Sequence, residues 1–276
     1  MEKTIELETM TMPTADPEPP FSARLLSGWG RDIAVAGAFL TRLPLRPAGA
    51  DAACALALAA RAFPLIGLGV GAVAAGGLWL ASGLGLHPIG CALIGLALAA
   101  ALTGALHEDG LADVADGFGG GSDCNAKLKI MRDSRIGAFG VLALIFSVGI
   151  RTTVLGGLMG AGLAEATLVC AAVVSRAVLP MMMARMPMAR SDGLAAAAGT
   201  PNDETAWTAL VLGTVGSIVL LGLMSGLIAV ASACVTTVAV AWLSRRQIRG
   251  YTGDVLGAVQ QAVETAVIVA AGATAL

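Results

Sequence analysis

The run from Ala206 to Leu243 carries no charged side chain. As a single α-helix it would be about 57 Å long, nearly twice the roughly 30 Å of hydrocarbon in a bilayer. Such a run must fold as two membrane-crossing helices, with a turn expected near Ser225-Gly226. Further windows of about 20 apolar residues recur along the chain. The sequence predicts seven spans, near 61–82, 89–107, 136–157, 163–184, 207–225, 227–244 and 254–275. Composition agrees: 57% of residues are hydrophobic and 13% charged, where soluble domains have about 25% charged. Mean hydropathy is +0.81. The expected fold class is all-α, a polytopic membrane helix bundle forming one integral-membrane domain over 21–276.

The two ends of that bundle differ in charge. Lys and Arg gather before residue 61, in 107–135, in 184–206, and at Arg245, Arg246 and Arg249. The alternate turns near 83–88, 158–162 and 225–227 have none. The positive-inside rule then puts the N-terminus and every charged loop in the cytoplasm, with the C-terminus outside. Residues 1–20 are acidic and proline-rich, lack the basic start and apolar run of a signal peptide, and read as a disordered tail. Residues 31–45 are too short and basic for a span, and read as an interfacial segment or half-inserted hairpin. Five dispersed cysteines have no metal or redox spacing and read as packing residues. A net charge of -2 gives no sign of a nucleic-acid partner. The pairs Gly67-Gly71, Gly156-Gly160 and Gly222-Gly226 read as close helix contacts.

One stretch breaks the apolar pattern: HEDGLADVADGFGGGSDCNAKLKIMRDSRIGAFG, His107 to Gly140. If the second span continues as helix past His107, then Asp109, Asp113 and Asp116 stand at i, i+4 and i+7, on one face. Like charges stacked this way destabilise a helix, and a divalent cation is the usual compensation. Oxygen donors without nitrogen or sulfur suit Mg²⁺ or Mn²⁺. A solvated helix end is the plainer alternative, and three aspartates in register argue against it. Gly119-Gly120-Gly121 ends the helix, either as an anion-holding nest or as a flexible stop. Lys127, Lys129, Arg132 and Arg135 then meet either anionic lipid or a diphosphate held against the metal. Asp133, within that strip, reads as a fourth metal ligand or a general base. An acidic face beside a basic strip at a membrane edge suits Mg²⁺-dependent phosphoryl transfer, with the substrate left open.

The block HEDGLADVADGFGGG followed by KIMRDSRIGAFGVLAL resembles the cobalamin synthase family, the adenosylcobinamide-GDP ribazoletransferases. FLTRLPL (Phe39–Leu45), RAFPLIGLGVG (Arg61–Gly71) and RGYTGDVLGA (Arg249–Ala258) are similar to other signatures of that family, in the same order. Glu108 falls at a position where the family pattern varies. The resemblance implies a Mg²⁺ enzyme of the cytoplasmic (inner) membrane that completes adenosylcobalamin. In the expected reaction the ribose 5′-hydroxyl of α-ribazole, or of its 5′-phosphate, attacks adenosylcobinamide-GDP at the phosphorus nearest cobinamide, and GMP leaves.

On that reading Asp109, Asp113 and Asp116 hold Mg²⁺, while Lys129, Arg132 and Arg135 offset charge on the transferred phosphorus. Asp133 is the expected base, with His107 as the alternative. Arg176, near the cytoplasmic end of the fourth span, is expected to bind phosphate. Arg42 contacts phosphate or a lipid headgroup. Asp254 either completes the site or only favours its helix N-terminus. Arg151 is expected to pair with Glu165, and Glu264 with an unidentified polar group. The bilayer is the expected surrounding, and a homo-oligomer is left open. Two rivals remain at this stage. Asp113-x-x-Asp116-Gly117 is part of a CDP-alcohol phosphotransferase pattern, although Phe118-Gly119-Gly120 departs from it. A cation- or proton-coupled transporter would use buried carboxylates, usually near the midplane.

Overall fold

The computed structural model describes residues 21–45, 52–193 and 198–275, with the side chains of 21–27 and 52–55 left aside. The tail expected over 1–20 lies outside the described residues. Twelve α-helices are described: α1 (Phe21–Leu40), α2 (Ala52–Ala59), α3 (Phe63–Gly83), α4 (Pro88–Thr103), α5 (Leu106–Gly120), α6 (Cys124–Ile130), α7 (Ala138–Met159), α8 (Ala164–Ala177), α9 (Leu179–Arg185), α10 (Asp203–Leu221), α11 (Leu223–Ile248) and α12 (Gly253–Thr274). No extended strand occurs among the described residues. Six helices, counting α8 and α9 as one, are long and apolar enough to cross a membrane. The bent pair α4–α5 makes a seventh crossing if it is counted. The chain is a multi-pass, all-α membrane bundle.

The α8–α9 span is its central column, 83% buried, and α12 follows at 61%, against 17% for α11. Glycine makes the closest of these contacts. A Cβ at Gly67 or Gly71 of α3 would strike the α8 backbone at Ala172 or Val169, so this small-xxx-small pair is a helix contact at both positions. The other two pairs are used only in part, since Gly160 and Gly222 meet nothing within 4 Å. The outward faces are apolar too: Trp79, Phe146, Val219 and Val235 are each more than half exposed, as suits a surface solvated by lipid tails.

Three boundaries differ from expectation. The turn between α10 and α11 falls at Gly222, not Ser225-Gly226, because Gly222 adopts φ +79°, which glycine takes without steric cost. Residues 31–40 continue one helix, α1, which packs on α2 and α3; the connection between α1 and α2 at 46–51 lies outside the described residues. The second span stops at Thr103 and does not run on to His107. Gly104 and Ala105 both take left-handed conformations, and α5 leaves at 93° to α4. Burying four carboxylates in hydrocarbon would be costly; the bend turns α5, bearing Glu108, Asp109, Asp113 and Asp116, away from the axis of that span.

The charged loops meet one another at this end. Arg132 donates two hydrogen bonds to Asp192 (2.6 and 2.7 Å). Pro187 and Ala189 exchange backbone hydrogen bonds with Tyr251, at 3.0 and 2.9 Å, which ties the segment after α9 to the turn before α12. Gly250 allows that approach, since a Cβ there would strike the Pro187 carbonyl.

Candidate active site

Helix α5 is the floor of the site, and glycines set its depth. Gly110 packs on the backbone of Asp254, and Gly257 on that of His107, so α5 and α12 cross almost backbone to backbone. The expected register holds: Asp109, Asp113 and Asp116 all belong to α5. Their surroundings differ, however. Asp109 is exposed, Asp113 half-buried and Asp116 buried.

Asp116 is committed to helix α7. One of its oxygens accepts from the backbone N–H of Gly137 at 2.7 Å and the other from Gly140 at 2.9 Å. A carboxylate here satisfies two of the unpaired N–H groups at a helix start and faces the positive end of its dipole. Both glycines are required, because a Cβ on either would strike that carboxylate.

Asp113 lacks such partners. Partial burial, then the charges of Asp109, Asp254 and Asp116, push its carboxyl up from 3.8 to about 7, with Arg190 opposing. The like-charge repulsion that the register predicted thus contributes to the shift, after burial. No three His, Cys, Asp or Glu side chains among the described residues are grouped closely enough to hold a metal on their own. Mg²⁺ does not require such a cage, since it keeps several waters and is commonly held by one or two carboxylates plus substrate phosphates. The donors fit that mode of binding.

Asp254 joins the group from the start of α12. Its carboxylate accepts from Arg190 at 3.3 Å and from the Thr252 hydroxyl at 3.0 Å. Arg190 went unnoticed in the sequence, where it is one cation of a cytoplasmic loop; its position depends on the Met188–Tyr251 backbone bridge. Nη1 of Arg190 is buried without a hydrogen-bond partner among the described residues. Arg190, Asp254, His107 and Asp109 line one cavity of about 160 Å³ between α1, α3, α5, α9 and α12.

The basic strip is largely engaged elsewhere. Arg132 is taken by Asp192. Arg135 pairs with Asp133 at 2.7 Å, and its hydrogen bonds hold the Asp133 carboxyl down at about 2. So weak a proton acceptor, absent from the cavity lining, does not suit the expected base. Lys129 is exposed on α6 and forms no ion pair among the described residues. Asp123 caps α6, accepting from Asn125 and Ala126 at 2.9 and 3.0 Å. The glycine run is packed and not an open nest: a Cβ at Gly119 would strike the Phe139 ring, and one at Gly121 would strike Lys127. Arg42 donates its backbone N–H to Leu102 at 2.8 Å and lays its side chain against Gly104, at the turn into α5.

Deeper in the bundle the expected pairings change. Arg151 bonds Glu264 at 2.7 Å, not Glu165. Arg176 lies 3.7 Å from the other Glu264 oxygen and is only 2% exposed. The expected phosphate contact of Arg176 gives way to this buried pair. Gln260 bonds Glu264 and Ser175, at 2.6 and 3.0 Å, while Gln261 reaches Glu108 at 3.0 Å. The sequence marked the charged members of this network but gave no hint of its glutamines, which read as ordinary polar residues in an apolar run.

Comparisons with known proteins match the chain over most of its length. The profile of the cobalamin-5-phosphate synthase family matches residues 32–272. An adenosylcobinamide-GDP ribazoletransferase of Bradyrhizobium diazoefficiens is 42% identical over 242 residues, 88% of this chain and 93% of the relative. The enzyme of that name from Mesorhizobium japonicum is 44% identical over 240 residues, 87% and 92% of the two chains. That from Azorhizobium caulinodans is 41% identical over 244 residues, 85% and 92%. No solved structure matches. Matched over nearly its whole length by profile and relatives alike, the chain belongs to the cobalamin-5-phosphate synthase family.

Proposed function

We propose that this protein is an adenosylcobinamide-GDP ribazoletransferase. It moves the cobinamide-phosphate group to ribazole, releases GMP and makes a phosphodiester. The observation that carries this reading is the crowding of Asp109, Asp113 and Asp254 near Arg190, with Asp109, Asp254 and Arg190 lining one cavity. Together these residues provide a cation-binding face and an anion-binding group within a membrane protein of this family.

Asp109 and Asp113 would hold Mg²⁺, with Asp254 alongside. When bound, Mg²⁺ neutralises the diphosphate and the charge developing on the leaving GMP. Asp116 keeps α5 registered on α7, so the other aspartates stay in place. Arg190, with Lys129 and Arg42 nearer solvent, offsets the phosphoryl charge. His107 lines the cavity and takes the base role that Asp133, tied to Arg135, cannot fill. The attacking group is also revised. The family description names a 5-phosphate product, and a phosphate retained at the 5′ position leaves that oxygen already esterified. A secondary ribose hydroxyl is therefore the nucleophile, in place of the 5′-hydroxyl expected from the resemblance.

The concentration of Lys and Arg at the site's end supports a site on the cytoplasmic side of the inner membrane, with the N-terminus on the same side. The test is reconstitution in liposomes with adenosylcobinamide-GDP and α-ribazole or its 5′-phosphate, following the cobalamin product and GMP with and without Mg²⁺. Metal-dependent, equimolar formation of both products is expected. No product from folded protein would overturn the reading.

A further inference from the structure

The cavity beside the aspartates has two unlike walls. His107, Asp109, Arg190 and Asp254 form one; Phe39, Leu40, Phe63, Leu179 and Met183 are prominent in the other. The Phe39 and Phe63 rings are stacked, with centroids 6.4 Å apart and planes 10° from parallel. A phosphate pressed against the apolar wall would lose its hydration with nothing in return. A flat apolar group would lose nothing there and would bury surface. Among the polar lining residues, Nη1 of Arg190 has no hydrogen-bond partner within the described residues, and an unmet buried donor favours a ligand that supplies an acceptor.

We infer that this cavity is the acceptor site. The aromatic dimethylbenzimidazole base of ribazole lies against the Phe39–Phe63 wall, and its ribose turns toward Asp109, Asp254 and Arg190. The inference rests on the proposed reaction and adds to it the location of one of the two substrates. Size supports the choice: about 160 Å³ is below the roughly 300–1,000 Å³ of sites for drug-sized ligands. A bicyclic base enters such a space, whereas a corrinoid macrocycle does not. The donor then approaches from outside with only its diphosphate at the rim, where a ribose hydroxyl, the carboxylates and Arg190 converge. The polar wall therefore selects for ribose or its phosphate, and the apolar wall for the base.

The probe is 5,6-dimethylbenzimidazole, the base without its sugar, added to full-length protein in nanodiscs. It is expected to bind without metal or donor, and to inhibit turnover competitively against α-ribazole but not against adenosylcobinamide-GDP. Leu179→Trp, which fills the cavity from the apolar wall, is expected to abolish that binding. It should also raise the KM for α-ribazole at least tenfold while leaving the donor KM within twofold. An unchanged donor KM shows that the variant is folded, and competition in the wild type tests the inference without any variant. Arg190→Gln is expected to raise the KM for α-ribazole 5′-phosphate more than that for α-ribazole if Nη1 meets the phosphate, and both equally if it meets the ribose. No change in either overturns the polar contact. Competition with the donor, or an unchanged ribazole KM in Leu179→Trp, overturns the acceptor cavity while the wild type still makes product. Absence of product from folded wild type overturns the underlying reaction instead.

Discussion

Two groups of ionisable residues sit close together in this bundle and are treated in opposite ways. In the interior, Arg151 and Arg176 flank Glu264, and Gln260 and Ser175 supply further hydrogen bonds. At the rim, Asp109, Asp113 and Asp254 crowd together with one arginine among them, and repulsion is left in the fold. Buried charges in a membrane protein persist when they are paired. The interior group largely meets that rule, with Glu264 between two arginines and only Nε of Arg176 left unbonded among the described residues. The rim group meets it only at Asp254, which Arg190 reaches. It leaves Asp109 and Asp113 without an ion pair among the described residues, as expected of a site completed by its ligand. The contrast separates charges that hold the fold from charges that do the chemistry.

That separation can be broken by experiment. Removing the shared partner of the interior group should have the largest effect on stability. Glu264→Leu leaves two buried guanidinium groups without their carboxylate, a loss of about 3–5 kcal/mol. Denaturation in detergent should show a protein that is unfolded or greatly destabilised, with or without Mg²⁺. If Glu264→Leu is stable and only activity falls, the interior group belongs with the chemistry.

Asp116 tests the boundary between the two groups. Asp116→Ala removes the carboxylate that receives the Gly137 and Gly140 N–H groups and should cost about 0.5–2 kcal/mol, like the loss of other helix caps. Faster hydrogen exchange in the first turn of α7 is the accompanying sign. Unchanged exchange there would return Asp116 to the metal-binding set.

A smaller effect sharpens the account of Asp113. Its folded carboxyl keeps a proton up to about 7, whereas the unfolded chain loses it near 3.8. Between those values the folded state binds more protons, so stability falls as pH rises. In metal-free protein, the melting temperature should therefore decline from pH 4 to pH 7 more in wild type than in Asp113→Asn. The difference is modest because Asp113 is only half-buried and its charge is screened by solvent. Parallel profiles would mean that Asp113 is not strained.

Much of this was legible from the chain itself. Each predicted span corresponds to a helix, because apolar length leaves little choice in a bilayer. The aspartate register was legible because helical spacing is fixed. What escaped notice depended on backbone geometry and on long-range contact. Two consecutive left-handed residues, Gly104 and Ala105, turned the second span aside; Gly104 is an ordinary helix-stop residue that the apolar run masked, and nothing signals a left-handed alanine after it. Arg190 reaches Asp254 only through a two-residue backbone bridge 60-odd positions away. Arg132, Arg135 and Asp133 looked like site residues from charge alone, but they pair with Asp192 or with each other. Spacing places residues on a face; it does not say which charges are already neutralised.

The central claim is that the crowded rim aspartates carry a metal-dependent transfer. It is tested most directly by Asp113→Asn in proteoliposomes supplied with adenosylcobinamide-GDP, α-ribazole and Mg²⁺. The account predicts a folded protein, as stable as wild type or slightly more so, with product formation reduced by at least about 10²–10³-fold, the loss typical of removing one group that stabilises transition-state charge. A folded Asp113→Asn protein that makes product within twofold of wild type, with the same Mg²⁺ dependence, would contradict it.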